Sequence, residues 1–343
     1  MGTLPLSKPV NVVQWFDVEL HDNIRRSDFG RAAGFVLKSH SRAIPTSDSF
    51  QNAACVYPAG RMPQALQFFA SIGAYIGWSA LLALDGFGRF ARFAGTALRM
   101  AIFEPRSWLR WRQIGPQFYA VGAASVMVVA ITGGFIGMIL ALEGYDQFAA
   151  LGQEQQMGGV INSAVTKQIG PVLAAVMLAG RVGGSLAAEL GSMRVTEQLD
   201  AMRAMSADPV RTLVVPRVMA CLIMTPLLTI YSDVVGSMGA WAIVTGYFGV
   251  TNADYWHYTA IFVSAWDPLT GIAKSAAFGL AIGLISCYKG FHCSGGATGV
   301  GRAATESFVA SFLSIIVLNL VLAQFVNSLQ HLFDPTSMKT LIS

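Results

Sequence analysis

The side chains most able to do chemistry in this chain are ionisable groups set in strongly apolar sequence. Between two hydrophobic runs, Arg194, Glu197, Asp200 and Arg203 recur every three residues. This spacing brings them to one side of a helix, where they could form ion pairs or bind a partner protein. The pattern predicts an amphipathic helix over residues 194–207.

An apolar stripe accompanies these charges on another part of the same predicted helix. It consists of Val195, Leu199, Met202 and Met205. The pair Asp208-Pro209 is expected to end the helix, because the residue before a proline disfavours the α conformation. Such a helix either transmits motion from a partner protein to the bundle or only covers the base of a helix bundle. The pattern of residues fits both roles.

Five further charged residues lie within or at the ends of apolar runs, where an ionisable group is costly and is usually paired or faces a cavity. Arg181 and Glu189 are eight residues apart, so they share a helix face but are too distant to pair locally. Asp233 and Lys274 could form an ion pair. A structural role is the simpler interpretation for these four, whereas Lys167 could meet an anionic lipid headgroup or extend to the membrane interface.

Motifs for catalysis and nucleotide binding are absent from the sequence. The glycine-rich segment SGGATGVGRAAT lacks the Gly-x-x-x-x-Gly-Lys-Ser/Thr pattern of a phosphate-binding loop. Cys287, His292 and Cys293 fall short of the four ligands that a structural zinc site usually has. We therefore predict no catalytic residues, no metal site and no nucleic-acid partner.

The composition predicts an all-α polytopic membrane protein. Of the 343 residues, 54% are hydrophobic and only 12% are charged, against roughly 25% charged residues in soluble domains. A transmembrane helix needs about 20 apolar residues, and five segments meet this length. They are residues 118–142, 160–188, 213–245, 269–288 and 308–329.

Two segments precede the first predicted span. Residues 1–63 mix prolines, serines and charges, and we expect a loosely ordered extension. Residues 65–102 place Arg89, Arg92 and Arg99 among aromatic residues at helical spacing, which is typical of a helix that lies in the membrane interface. A sixth span over residues 65–84 is the alternative.

The charges of the loops predict the orientation in the membrane. Arginines concentrate before the first span and between spans two and three, and Lys289 and Arg302 lie between spans four and five. The loops 143–159 and 246–268 contain no lysine or arginine. Because basic loops favour the cytoplasmic side, the N-terminus is predicted to be cytoplasmic.

The longest motif resembles a known family. The run AGRVGGSLAAELGSMRVTEQLDAMRAMSADPVRTLVVPRVMA is similar to the signature of the MlaE (or YrbE) family, the permease subunits of ABC transporters that work with Mce-domain proteins. The segments GGFIGMILALEGY, QIGPVLAAVMLAGR, KSAAFGLAIGLISCYKG and GVGRAATESFV support it. The resemblance covers most of the chain and predicts a permease domain over residues 64–343.

The resemblance implies a transport function and several partners. Family members form a homodimer with two ATPase subunits and a ring of Mce-domain (MlaD-like) subunits. The chain is then expected to move phospholipids or other hydrophobic molecules between the bacterial inner membrane and the Mce assembly, with a plastid inner envelope as the alternative location. ATP and Mg²⁺ would serve the partner ATPase, with no cofactor bound here. A stand-alone secondary transporter or channel is the alternative, although it predicts internal repeats that we do not find.

The resemblance also implies roles for particular residues. It makes the helix between spans two and three the coupling helix, which contacts the ATPase, and it places the end of span one beside a lipid cavity. Gln168 stands where many relatives carry a glutamate, so any role of that acid does not transfer directly. The coupling residues are Arg194, Glu197, Gln198, Asp200 and Arg203, and the cavity residues are Ile136, Ile139, Leu140, Leu142, Tyr145 and Lys167.

Overall fold

The computed structural model describes the backbone of residues 64–103 and 111–333, and the side chains of 81, 84–103 and 112–328. The predicted extension 1–63 lies outside the described residues. The chain divides into two compact units, Met1–Trp78 and Ser79–Ser343, and every contact below lies within the second. The α-helices are α1 Gln64–Phe103, α2 Trp111–Val121, α3 Val126–Ala150, α4 Met157–Ala164, α5 Gly170–Leu178, α6 Gly184–Val195, α7 Gln198–Ala204, α8 Val215–Gly246, α9 Asn252–Phe262, α10 Trp266–Phe291 and α11 Gly296–Phe333.

Within the described residues, five helical segments are long and apolar enough to cross a bilayer, which confirms the predicted five-span all-α architecture. Each is longer than its predicted core, because helical hydrogen bonding continues into the polar residues that flank the apolar run. Helix α1 covers the predicted interfacial helix and is not among the five. The spans, numbered one to five, are Arg112–Ala150, Glu154–Val195, Val210–Gly246, Trp266–Phe291 and Gly296–Ser328.

Glycines bring spans one and three into backbone contact. A Cβ atom at Gly137 would collide with the carbonyl of Gly236, and one at Gly133 would lie 2.6 Å from the Ser232 hydroxyl oxygen. Small residues let membrane helices approach until their backbones touch, which increases the van der Waals contact between them. Spans one and three therefore pack with their backbones in direct contact.

Buried side chains form a cluster at each end of the bundle. The base cluster joins α1 and α7 to spans two, three and four, and the outer cluster joins spans one, two and three to α9. The base cluster comprises Ala94, Ala97, Leu190, Leu199, Val214, Val218, Leu284, Cys287 and Phe291. The outer cluster comprises Ala141, Met157, Ile161, Val165, Ala240, Val244 and Tyr255.

Helix α9 lies in the segment 246–268, for which the sequence predicts a loop. Tyr255 anchors it: its hydroxyl accepts a hydrogen bond from Asn162 Nδ2 at 3.0 Å and donates one to the carbonyl of Ser237 at 3.1 Å. Burial raises the pKa of Tyr255 above its ordinary value, so the hydroxyl keeps its proton and remains a donor. The mixture of polar and aromatic residues in α9 shows no clear helical periodicity, which explains why it was missed.

The contact between spans one and three can be tested with one added methyl group. We expect Gly137→Ala to destabilise the protein by about 1–3 kcal/mol, because the new Cβ has no room beside Gly236. Gly184→Ala is the matched control, since a Cβ there meets nothing within 4 Å. Melting temperatures of the purified variants in detergent would show this, and equal values for both would contradict the packing.

Candidate functional site

Span two is interrupted by two π-helical turns, Val165–Ile169 and Ala179–Gly183. Such turns are rare and frequently occur at functional sites. Pro171 follows the first of them and has no N–H, so it cannot donate to the carbonyl of Lys167 four residues earlier. This leaves a carbonyl oxygen at membrane depth that needs a donor from another element.

Lys274 on span four supplies that donor. Its side chain is only 2% exposed, and its Nζ donates to the carbonyl of Lys167 at 3.2 Å and to Gln168 Oε1 at 2.9 Å. Gly271, one turn earlier, permits this approach, because a Cβ there would lie 2.7 Å from the Thr166 carbonyl oxygen. Among the described residues, both acceptors of this buried ammonium are uncharged.

Asp233 and Lys274 do not pair, so the ion pair considered from the sequence is wrong. Lys274 turns towards the irregular part of span two, whereas Asp233 on span three faces Gly170, where an added Cβ would collide with its carboxylate. Asp233 Oδ1 is buried and has no hydrogen-bond partner among the described residues. Lys274 therefore contacts Lys167 and Gln168 of span two, whereas Asp233 lies against Gly170 of the same span.

Lys167 lies beside an acid that the sequence analysis left unassigned. Its Nζ is 3.9 Å from Asp267 Oδ1, and the Asp267 side chain is 7% exposed while that of Lys167 is 35% exposed. Asp267 was not singled out because it falls at the end of the segment predicted to be a loop. The long distance and the partial exposure leave the Lys167 ammonium accessible to a further anion.

A cavity of about 940 Å³ lies along span five and reaches Gln168 of span two. We call it the span-five cavity. Gln168 contributes to its polar part with Asn319, whose Oδ1 is buried without a hydrogen-bond partner among the described residues. The apolar part is formed by Ile316, Leu320, Val321 and Phe325. The cavity thus combines amide groups next to a buried lysine with an aliphatic and aromatic wall.

The span-one residues that were predicted to line a cavity do not share one face of the helix. Successive residues turn by about 100° around a helix, so these five side chains point in different directions. Ile139 and Leu142 are exposed, Ile136 is half-buried, and Leu140 and Tyr145 pack against the outer cluster. Tyr145 also stacks on Phe248 with ring centroids 3.6 Å apart.

The predicted helix 194–207 is interrupted, so its predicted bounds are wrong. Helix α6 ends at Val195, and Glu197 adopts a left-handed conformation with φ 59° before α7 begins. Ser206 is also left-handed, with φ 60°. Asp208 does not end this helix: its Oδ1 accepts a hydrogen bond at 2.9 Å from the N–H of Val210, at the start of span three.

The break changes the predicted apolar stripe. Leu199 alone is fully buried, whereas Val195 and Met205 are 38% and 73% exposed. Leu199 inserts into the base cluster, so it fixes α7 to spans two, three and four. Removing a buried leucine side chain typically costs about 2–5 kcal/mol, which makes this the main attachment of α7 to the bundle.

The charged residues around α7 form an exposed network centred on Asp200. Its carboxylate accepts hydrogen bonds from Arg194 at 2.8 Å and from Arg203 at 3.0 Å. Exposed pairs of this kind contribute about 0–1 kcal/mol each, so their effect on stability is small. Glu197 and Gln198 are exposed beside them, and together the five side chains present a polar surface, which we call the α7 surface.

Two charged residues of span two connect it to neighbouring elements, as the sequence analysis expected of Arg181 and Glu189. Arg181 donates to the hydroxyl of Ser125, before α3, at 2.6 Å. Glu189 accepts a hydrogen bond at 3.2 Å from Arg217 on span three, whose side chain is 8% exposed. The second contact joins the two helices that flank α7.

The cysteines and histidines show no metal-binding arrangement in the part of the chain that the structure describes, where no group of three or more His, Cys, Asp or Glu side chains is close enough to hold an ion. Cys221, Cys287 and Cys293 are buried and unpaired. Burial raises the pKa of the Cys293 thiol, which disfavours the thiolate that a metal would require.

The role of Lys274 can be tested by removing its charge. We expect Lys274→Met to lower stability by about 1–3 kcal/mol, because two buried acceptors lose their donor. Lys289→Met is the control, since Lys289 forms a partly exposed ion pair with Glu306 at 2.8 Å, which contributes little. Melting temperatures would compare them, and a larger loss for Lys289→Met would contradict the proposed importance of Lys274.

Gln168→Glu gives the complementary test. A carboxylate at this position would stand where the Gln168 amide oxygen accepts from Lys274, so it would give the buried ammonium a charge partner. We therefore expect a melting temperature equal to or above that of the parent protein. A clear decrease would mean that the Lys274 ammonium does not reach residue 168.

The sequence matches one protein family over most of its described length. The model of the family described as "Permease MlaE" matches residues 114–325, which include all but the first residues of span one and extend almost to the end of span five. The matched range contains the irregular turns of span two, Lys274, the α7 surface and most of the span-five cavity.

Curated relatives match a similar share of the chain. A probable ABC transporter permease protein of Rickettsia bellii is 36% identical over 249 residues, 73% of this chain and 95% of the relative. The intermembrane phospholipid transport system permease protein MlaE of Haemophilus influenzae is 31% identical over 240 residues, 70% of this chain and 92% of the relative. The chloroplastic protein TRIGALACTOSYLDIACYLGLYCEROL 1 of Arabidopsis thaliana is 33% identical over 217 residues, 63% of this chain and 62% of the relative. The chain is therefore a multi-pass membrane protein that belongs to the MlaE family of permeases.

Proposed function

We propose that this chain is the permease subunit of an ABC transporter that moves phospholipids, or other hydrophobic molecules, between the inner membrane and an Mce-domain partner. A separate ATPase subunit binds ATP and Mg²⁺, and this chain supplies the membrane path. The names of the Rickettsia and Haemophilus relatives support the transporter class and the phospholipid. The observation that carries the proposal is the span-five cavity and its polar neighbours.

The span-five cavity matches the two parts of a phospholipid. Its wall of Ile316, Leu320, Val321 and Phe325 suits acyl chains. At the polar part, Gln168 offers an amide, and Lys167, which precedes it in span two without lining the cavity, has a partly exposed ammonium that could contact a phosphate. A site that binds a phosphate together with acyl chains requires this combination of a cation and apolar surface.

The α7 surface is the proposed docking site for the ATPase. Leu199 ties α7 to the base cluster, which includes residues of spans two, three and four. A displacement of α7 would therefore move the ends of those spans, and the Glu189–Arg217 contact links two of them directly. This arrangement supports transmission of ATPase motion to the membrane helices.

A homodimer in the inner membrane, with a cytoplasmic N-terminus, completes the proposal. Span five is the least buried of the five spans within one chain, and its exposed apolar side chains, among them Leu313, Val317 and Leu320, leave room for a second copy. The loop charges support a cytoplasmic α7 surface. The Arabidopsis relative keeps a plastid envelope as the alternative location.

A stand-alone secondary transporter or channel is the second candidate. It requires that transport proceed without an ATPase, which the names of the curated relatives do not favour. The Asp200 network also has no evident purpose in such a protein, since exposed ion pairs add little stability. Transport by the isolated chain, without ATP, would support this alternative.

Substitution of Glu197 tests the proposed coupling. Glu197 is exposed, forms no ion pair with a described residue and has a left-handed backbone. Glu197→Asn removes the charge while asparagine tolerates that conformation. In the purified complex, we expect lipid-stimulated ATPase activity to fall roughly threefold or more, equivalent to about 0.7 kcal/mol of coupling.

Asp254→Asn on α9 is the matched control, because it removes one acid far from α7 in the sequence and outside the base cluster. It should leave the stimulated activity unchanged. If Glu197→Asn and a combined Glu197→Asn, Gln198→Ala variant both retain full stimulation, the α7 surface is not the docking site.

A further inference from the structure

A second cavity, of about 320 Å³, lies between spans two, three and four and α9. We call it the Asp233 cavity. Its polar lining residues are Asp233, Thr166 and Ser237, and Trp256 also lines it. None of these four residues belongs to the span-five cavity or to the α7 surface.

Asp233 has no partner for its charge within the described protein. It forms no ion pair or hydrogen bond there; its Oδ1 is buried against Gly170, and the residue lines the cavity. An ionisable group at membrane depth is costly and is usually paired or directed at a substrate path. The missing partner is therefore expected to come from a molecule that enters the cavity.

The mouth of the cavity is apolar and faces outwards. Ile230, Val234 and Met238 line it at intervals of four residues along span three, and they are 41%, 53% and 56% exposed. An occupant with hydrocarbon chains could lie along this strip while its polar end reaches Asp233. A water-soluble ion would have no comparable contact with the strip.

The chemistry of the cavity favours an organic ammonium group. A carboxylate attracts a cation directly, and an indole ring attracts one through its face. Calcium requires six to eight oxygen ligands, more than this cavity offers. A primary ammonium has three N–H donors, which match the Asp233 carboxylate and the hydroxyls of Thr166 and Ser237, whereas a quaternary ammonium has none.

We propose that the Asp233 cavity binds the ammonium of an ethanolamine phospholipid headgroup, with Asp233 as the charge partner and Trp256 as the aromatic wall. This inference rests on the proposed phospholipid transport. It adds a basis for headgroup selectivity: Asp233 distinguishes a lipid that carries a primary ammonium from an anionic lipid without one.

The test measures which lipids the assembled complex retains. The complex is reconstituted with equal amounts of phosphatidylethanolamine, phosphatidylcholine and phosphatidylglycerol, repurified, and its bound lipids are quantified by mass spectrometry. We expect the parent protein to enrich phosphatidylethanolamine about threefold over each of the others, equivalent to about 0.7 kcal/mol. Asp233→Asn, which keeps the shape and removes the charge, should abolish this enrichment.

Two controls make the result specific. Asp254→Asn removes the acid in the first turn of α9, which does not line the cavity, and should keep the enrichment. Trp256→Leu changes a residue that lines the cavity and should reduce the enrichment. Trp256 is 46% exposed, so this variant tests the cavity even if Asp233→Asn fails to fold. Equal retention of the three lipids by the parent protein, or unchanged enrichment in both cavity variants, would overturn the inference. Absence of any bound phospholipid from the parent complex would instead contradict the proposed function.

Discussion

A polar group buried in a bilayer must find its partner within the protein, and this constraint organises span two. Pro171 cannot donate to the carbonyl of Lys167, and Lys274 crosses from span four to do so. Gly271 lets span four come close enough for this contact. The buried lysine, the glycine contact and Gln168 beside the span-five cavity thus lie together at this irregular turn.

Span two also links the two ends of the bundle. Its first irregular turn holds Lys167 and Gln168, its second holds Arg181, and its last turns carry Glu189 and Arg194. Span two therefore carries one residue of each proposed site, Gln168 at the span-five cavity and Arg194 at the α7 surface. The first π-helical turn contains Gln168 and the second lies between it and Arg194, so the helix can change its hydrogen bonding there without losing continuity. This supports span two as the element that couples the two sites.

The sequence predicts the five membrane spans, but it does not predict the local backbone bend, the short helix α9 or the contacts between distant segments. Long apolar runs identified all five spans, because hydrophobic length is a direct requirement of the bilayer. The bend at Glu197 was missed, since nothing in a glutamate signals a left-handed backbone. Helix α9 was missed because its burial depends on Tyr255 and Asn162, which lie 93 residues apart. The partners of Lys274 and Arg217 likewise come from distant segments, which a single sequence does not bring together.

The central claim is that phospholipid occupies the span-five cavity, and photo-cross-linking tests it most directly. A phospholipid with a photoreactive acyl chain would be incorporated into the complete complex, irradiated with and without ATP, and mapped by peptide mass spectrometry. The account predicts labelling concentrated on residues 316–328 and altered by ATP. It predicts much less labelling of Met127, Ile131 and Phe135, an exposed apolar face of span one that faces neither cavity. Equal labelling of both regions, insensitive to ATP, would contradict it.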